Sequence, residues 1–347
     1  MIWVLIVGAG LWWLGHLTGA PMRARWAMLG LLYLAVLLAL AVLPAGNPLA
    51  AALGGGFGEW ALLGGLVLLG WGYSKFLGRM KSRAQRPADA PKPGAFSATE
   101  LERYARHIIM REIGGPGQKK LKQARVLVVG AGGLGAPALQ YLAAAGVGTI
   151  GVIDDDVVDN SNLQRQVIHR DSDIGMPKVF SAERAMTAQN PAVTVRPYNR
   201  RLAEDIAAGL FAEYDLILDG TDNFATRFLT NRIAVAAGKP LISGALSQWE
   251  GQISIFDPAR GTPCYECIFP EAPAPGLAPS CAEAGVLGPL PGVIGAMMAV
   301  EAVKEIIGAG DTLKNRMLIY DALYADTRIM KLSRRKDCPV CGGMHAG

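Results

Sequence analysis

The chain has 347 residues, 51% of them hydrophobic and 18% charged, with a formal net charge of +5. It is more apolar than an ordinary soluble protein of that charge content, its mean hydropathy being +0.26. No clustered basic helix or aromatic platform speaks for nucleic acid, and neither a G-x-S-x-G turn nor ligand-spaced histidines speak for a hydrolase.

The apolar excess is local. Ile2 to Leu17 and Trp26 to Leu43 contain no Asp, Glu, Lys or Arg, and each approaches the ~20 residues needed to cross hydrocarbon. A third apolar run, Trp60 to Tyr73, reaches full length only with Glu59 at one end or a snorkelling Lys75 at the other. Residues 1–78 therefore read as a membrane anchor of three transmembrane helices in contact with lipid; two spans remain the alternative. A cleaved signal peptide fits less well, because the first run has no positive flank and further apolar runs follow it. Arg23 and Arg25 follow the first run, Lys75, Arg79, Lys81, Arg83 and Arg86 follow the third, and the loop between the second and third has neither Lys nor Arg. The positive-inside rule then places the N-terminus outside and everything after the third span in the cytoplasm, giving a multi-pass protein of the inner membrane. Residues 79–97 carry Pro87, Pro91 and Pro93 among Ala and basic residues, the composition of a semi-rigid tether.

From residue 98 onward, strand-like and helix-like runs alternate without an internal repeat, which predicts an α/β fold with a Rossmann-like doubly wound sheet. Val126 to Val129 is a strand candidate, followed directly by Gly130-Ala131-Gly132-Gly133-Leu134-Gly135, a G-x-G-x-x-G turn, and by helix-forming residues from Ala136 to Ala144. At such a turn the backbone approaches a phosphate, and the helix N-terminus favours negative charge. The run Gly148 to Ile153 ends in Asp154-Asp155-Asp156. Asp154 lies 24 positions after Gly130, the place of an acidic residue that meets ribose hydroxyls. Ser161-Asn162-Leu163-Gln164-Arg165-Gln166 and Gly175-Met176-Pro177-Lys178 come next. A nicotinamide enzyme has no use for Asn162, Arg165 and Lys178 there, whereas a site that neutralises a triphosphate does. Each residue also has a plain reading: Arg165 in a surface salt bridge, Lys178 solvated on a helix, and Asp222 as a helix N-cap after the strand candidate Leu216 to Leu218.

The five cysteines all lie in the last third. Cys264-x-x-Cys267 and Cys338-x-x-Cys341, with 70 residues between them, present two thiolate pairs that together complete a tetrahedral S₄ zinc site. Such a structural Zn²⁺ staples the tail to the domain and leaves no open position for catalysis. Cys281 stands apart, after the Pro/Ala-rich stretch Pro270 to Pro279. It is either a reactive thiol or an inert one at a helix start.

Arg103-Tyr104-Ala105-Arg106-His107, the glycine turn, SNLQRQ, the Pro177-Lys178 pair and Leu218-Asp219-Gly220-Thr221-Asp222-Asn223 occur in that order. Together they resemble the ubiquitin-activating-like adenylyltransferases of bacterial sulfur-transfer pathways, over roughly residues 98–347. Gly251-Gln252-Ile253, Cys281 to Val286 and Tyr320 to Leu323 resemble the molybdopterin-synthase branch. The Asp154–Asp156 triplet and the ending Cys338 to Gly343 lean toward the thiamine-pathway branch. The resemblance implies that residues 98–347 are an ATP-dependent adenylyltransferase domain acting on a small β-grasp sulfur-carrier protein that ends in Gly-Gly. It implies a homodimer in which Arg106 reaches the ATP of the opposite subunit. It also implies that Gly130, Gly132, Gly133 and Gly135 bind the nucleotide, with Gly132 approaching the phosphates, and that Asn162, Arg165 and Lys178 contact the phosphates. Asp154 would hold the ribose and Asp222 Mg²⁺, with Arg165, Lys178 and Asp222 catalytic. Cys281 matches a cysteine that forms a covalent or disulfide link during sulfur transfer. Two further readings stay open: a membrane-anchored NAD-dependent oxidoreductase, and a non-catalytic scaffold that binds a carrier.

Overall fold

A computed structural model describes residues 2–44, 47–84, 95–274 and 281–343. The chain divides into two compact units, Met1–Asp89 and Ala90–Gly347. Most of the tether, half of the Pro270–Pro279 stretch and the last four residues lie outside the described residues.

In the first unit the chain forms helices Ile2–Leu17, Met22–Val42, Pro48–Leu53 and Phe57–Ala84. Two stretches are long and apolar enough to cross a membrane: Met22–Val42 (mean hydropathy 2.1) and Pro48–Leu77 (1.5), the latter spanning the short helix and most of the last one. The first helix has 16 residues, about 24 Å at ~1.5 Å per residue, short of the ~30 Å hydrocarbon layer. Only 6% of an 18-residue apolar window in each stretch is buried, and Leu31, Leu38, Leu66, Leu69 and Trp71 are exposed. The exception is a small cluster around Val4, Val36 and Trp60. There Tyr33 donates its hydroxyl to the Trp60 carbonyl at 2.6 Å, and the Trp60 indole donates to the Gly54 carbonyl at 3.0 Å. Both polar handles of an otherwise apolar contact are thereby satisfied.

The second unit is built on an eight-stranded mixed sheet: β1 (Arg125–Val129), β2 (Thr149–Ile153), β3 (Thr194–Tyr198), β4 (Leu216–Asp219), β5 (Leu241–Leu246), β6 (Glu250–Phe256), β7 (Arg316–Asp321) and β8 (Asp326–Lys331). The order is β3-β2-β1-β4-β5-β6-β7-β8. The first five strands are parallel and β6 to β8 antiparallel. Strands covered on both faces read as continuous apolar runs, and β1 shows why. Val126 and Val128 enter one core with Leu139, Val179 and Met298, while Leu127 and Val129 enter the other with Phe211, Tyr214 and Leu241. Helices Gly135–Ala145, Lys178–Gln189 and Pro289–Ile307 cover the first face; Glu204–Ala212 and Phe224–Ala236 cover the second.

The strand order reverses between β1 and β4, the topological position where α/β sheets open a crevice at their carboxyl ends. Register puts Val129 beside Ile153 on one side and beside Asp219 on the other. Gly130, Asp154 and Gly220 therefore emerge together at one edge.

Because the units are separately compact, a fragment of residues 90–347 is expected to remain in solution without detergent and to unfold in one cooperative transition followed by circular dichroism. A fragment that aggregates or shows no transition would show that the first 89 residues are needed for the fold.

Candidate adenylation site

The glycine turn follows from backbone necessity at two points. Gly130 has φ +94°, a conformation costly for any residue with a side chain. A Cβ on Gly135 would lie 1.9 Å from the Gly130 carbonyl oxygen, so the turn closes only with glycine there. Gly132 differs: a Cβ would meet nothing nearer than Gln166 Nε2 at 3.6 Å. The fold itself does not demand glycine at 132; the open space beside it belongs to the cavity. No side chain caps the helix that starts at Gly135. The Ala136 N–H already bonds the Gly132 carbonyl at 2.8 Å and Pro137 has no N–H, so of its first three residues Gly135 alone keeps an N–H available to an anion.

A cavity of about 1070 Å³ opens at this edge, lined among others by Gly130, Gly132, Gly133, Asp154, Arg165, Lys178 and Asp222. Asp154 is bound into the turn: its carboxylate accepts the Ala131 N–H at 2.7 Å and the Asp156 N–H at 2.8 Å. Burial pushes its carboxyl above the ordinary aspartate range, against those two N–H bonds and the Lys178 charge. Lys178 is not the solvated helix residue of the plain reading. It is 4% exposed, and its ammonium lies 2.7 Å from Asp156 Oδ2. Arg165 makes no salt bridge among the described residues; it donates to the Ser161 carbonyl and to Asn162 Oδ1, both at 3.0 Å. Asn162 does not line the cavity and instead aims Arg165. Asp222 is exposed, and it is not the helix cap, because Asn223 accepts the Thr226 N–H at 2.9 Å in that role. Arg106 lies on the short helix Ala105–Ile108, exposed and outside its own chain's cavity. Gly135 contributes to the turn rather than to the lining.

Sequence reasoning missed Arg227, which lines the cavity and is 5% exposed. It donates to Ser243 Oγ at 3.2 Å, to the Gly244 carbonyl at 2.7 Å and to the Thr221 carbonyl. The available signal was its place one turn into the helix after Asn223, since helical side chains point back toward the N-terminus and so toward the strand ends. Asp219 beneath it accepts from the Thr221 N–H and hydroxyl through Oδ1, while its buried Oδ2 makes no hydrogen bond among the described residues and faces the Arg227 guanidinium as an ion pair at 3.9 Å.

Away from the cavity the four cysteines of the two CxxC pairs are buried together. Their sulfurs are 3.8 Å apart between Cys264 and Cys267, 3.6 Å between Cys264 and Cys338, and 3.4 Å between Cys267 and Cys341. Tetrahedral Zn–S bonds of ~2.3 Å place sulfurs about 3.8 Å apart, so the donor set fits Zn²⁺. Burial and the neighbouring Cys267 push the Cys264 thiol well up; cation binding therefore has to displace protons. Cys281 opens the short helix Cys281–Ala284, and its side chain lies outside the described atoms.

The ThiF family profile matches residues 104–340. The chain belongs to the ThiF family. Among curated relatives it is 49% identical over 251 residues to a sulfur carrier protein adenylyltransferase of Thermus thermophilus, a match covering 71% of this chain and 93% of that one. It is 53% identical over 248 residues to a probable adenylyltransferase/sulfurtransferase, MoeZ, of Mycobacterium tuberculosis, where the match covers 71% of this chain and 63% of the relative. With Haloferax volcanii SAMP-activating enzyme E1 it shares 49% identity over 248 residues, 72% of this chain and 91% of that one. Among solved structures, Escherichia coli MccB with MccA-N7isoASN superposes with a TM-score of 0.60 at 25% identity, over 66% of this chain and 70% of that one. As a ThiF-family chain at this identity to named adenylyltransferases, it is an adenylyltransferase, which sets aside the oxidoreductase and scaffold readings.

The cysteine geometry gives a direct test. Full-length protein should purify with about one zinc per chain, measured by atomic emission. Cys338→Ser should reduce the metal and lower the thermal midpoint by roughly 5–10 °C, at ~2–4 °C per kcal/mol for a domain of this size. Metal-free protein of undiminished stability would exclude a structural zinc.

Proposed function

We propose that this enzyme adenylylates the C-terminal glycine carboxylate of a small β-grasp sulfur-carrier protein with ATP, releasing pyrophosphate, as the activating step for sulfur transfer. The molybdopterin-synthase small subunit is the favoured carrier and the thiamine-pathway carrier the alternative. The observation that carries the reading is the convergence of the glycine turn, Arg165, Lys178 and Asp222 on one cavity in a chain of the ThiF family.

A carboxylate oxygen attacks the α-phosphorus, and an O–P bond forms. The bond from that phosphorus to the bridging oxygen breaks, and pyrophosphate departs with the electron pair. No general base is needed, since a terminal carboxyl of pKa ~3.5 is ionised at neutral pH. The difficulty is bringing one anion to another, so catalysis is positioning and charge neutralisation. Gly132 and the uncapped helix start take the phosphates. Arg165, steadied by Asn162, and Lys178, steadied by Asp156, offset their charge. Asp154 sits where a ribose hydroxyl would donate to it. Asp222, exposed and without a partner among the described residues, would hold a Mg²⁺ that offsets its own repulsion from the phosphates. Arg106, outside its own cavity, would serve the partner subunit of a homodimer. Cys281 would act after adenylylation, in the thiol step of sulfur transfer.

The same reading ties the enzyme to the cytoplasmic membrane through its first 78 residues, with residues 98–347 in the cytoplasm. The outward apolar surface of Met22–Val42 and Pro48–Leu77 supports it, as does the placement of the basic residues. A reporter after Gly94 should then behave as cytoplasmic and one between Ala45 and Leu49 as external; swapped behaviour would overturn the orientation.

The chemistry is tested by carrier-dependent ATP–pyrophosphate exchange. Asp222→Asn keeps the shape, leaves the Asn223 cap in place and removes the charge. Exchange should fall by about 10²-fold or more, the scale for one preorganised electrostatic group, with the circular dichroism spectrum unchanged. Lys178→Ala should lose exchange on a similar scale. Normal exchange by Asp222→Asn would refute the magnesium role.

A further inference from the structure

His169 has no part in the site as described so far, yet it is 6% exposed and bound at both ring nitrogens. Nε2 lies 3.0 Å from the Ala131 carbonyl oxygen, within the glycine turn, and Nδ1 lies 2.9 Å from Ser181 Oγ. Ser181 donates its hydroxyl to Asp173 Oδ2 at 2.6 Å. Asp173 is 2% exposed and is held by Arg184 and by the Ser172 hydroxyl. This buried chain runs from helix Lys178–Gln189 to the back of the turn. A carbonyl oxygen only accepts, so Nε2 carries the proton in that bond.

The Ala131 carbonyl and the Gly132 N–H belong to one planar trans peptide and point in opposite directions. His169 holds the carbonyl inward. The Gly132 N–H is thereby turned outward, toward the cavity that Gly132 lines, and it has no hydrogen-bond partner among the described residues. On the other side of the same residue, the Ala131 N–H is fixed by Asp154 Oδ2 at 2.7 Å. A flip of the Ala131–Gly132 peptide would point a carbonyl at the phosphates in place of a donor.

We infer that His169 is a positioning residue: it locks the Ala131–Gly132 peptide so that the Gly132 N–H donates to a nucleotide phosphate. The inference rests on the adenylylation reading and concerns nucleotide binding alone, before any carrier arrives. Two matched variants test it. In His169→Gln the amide nitrogen reaches near the place of Nε2 and keeps the donor; in His169→Asn the amide stops near Nδ1 and falls short of Ala131. Both are polar and of similar bulk.

Calorimetric titration of full-length protein with ATP and with adenosine, in Mg²⁺, reads the difference. His169→Asn should bind ATP about tenfold or more weakly, the scale of one hydrogen bond to a charged group, with adenosine affinity unchanged. His169→Gln should retain most of the ATP affinity at a thermal midpoint similar to that of His169→Asn. Equal ATP affinity in wild type and His169→Asn, or a parallel loss of ATP and adenosine binding, would overturn the inference and leave adenylylation standing. A wild type that binds no ATP would overturn both.

Discussion

The reversal of strand order between β1 and β4 opens a gap at the strand ends, and the residues that line the cavity hang from its rim. Chain leaving β1 turns toward one face of the sheet and chain leaving β4 toward the other, so their first loop residues separate above the strand ends. Gly130 and Gly220 hold the floor of that gap through single backbone bonds to Ile153 and Val129, at 2.9 and 3.0 Å. At Gly220 a side chain would already crowd the Gly135 nitrogen, 3.0 Å from where its Cβ would sit. Close backbone approach keeps the turn thin enough for peptide N–H groups, rather than side chains, to face the cavity.

Neutralising charge inside such a gap demands cations already in place, because ordering a flexible lysine or arginine during the reaction would cost binding energy. The structure meets that demand by pairing. Lys178 rests on Asp156, Arg165 on Asn162 and a carbonyl, and Arg227 on two carbonyls and a hydroxyl that tie β4 to β5. Buried Arg227 and Lys178 would be expensive without these partners. The acidic residues around the cavity are thus partly scaffolding for the basic ones: Asp156 positions a cation and Asp154 pins the turn.

Much of this was legible in the sequence. The glycine spacing, the apolar run before it and the acidic end of the next strand gave the turn, β1 and β2 to within a residue, because each rests on local backbone chemistry. The two CxxC pairs announced their own assembly across 70 residues, since four buried thiols have few other uses. Side-chain reach was not legible. Nothing in SNLQRQ says that Asn162 faces Arg165 and not a ligand, and a buried arginine at 227 looks like any polar residue on a helix. His169 shows no ligand spacing in the sequence because its partners are a carbonyl of the glycine turn and a serine of helix Lys178–Gln189. The first apolar run, Ile2 to Leu17, coincides with the helix the chain forms there.

The outer strand β8 has a bearing on handling the protein. All six of its residues are exposed, Ile329 and Met330 among them, and its outer edge presents backbone groups that no strand among the described residues pairs. Arg328, bridged to Glu250 and Asp326, and Lys331 are the charges that discourage another strand from adding there. Such protection is electrostatic and fades within a Debye length of ~8 Å at physiological salt. Concentrated solutions should therefore self-associate more readily as ionic strength rises, and dilute, low-salt buffers should keep the sheet edge solitary.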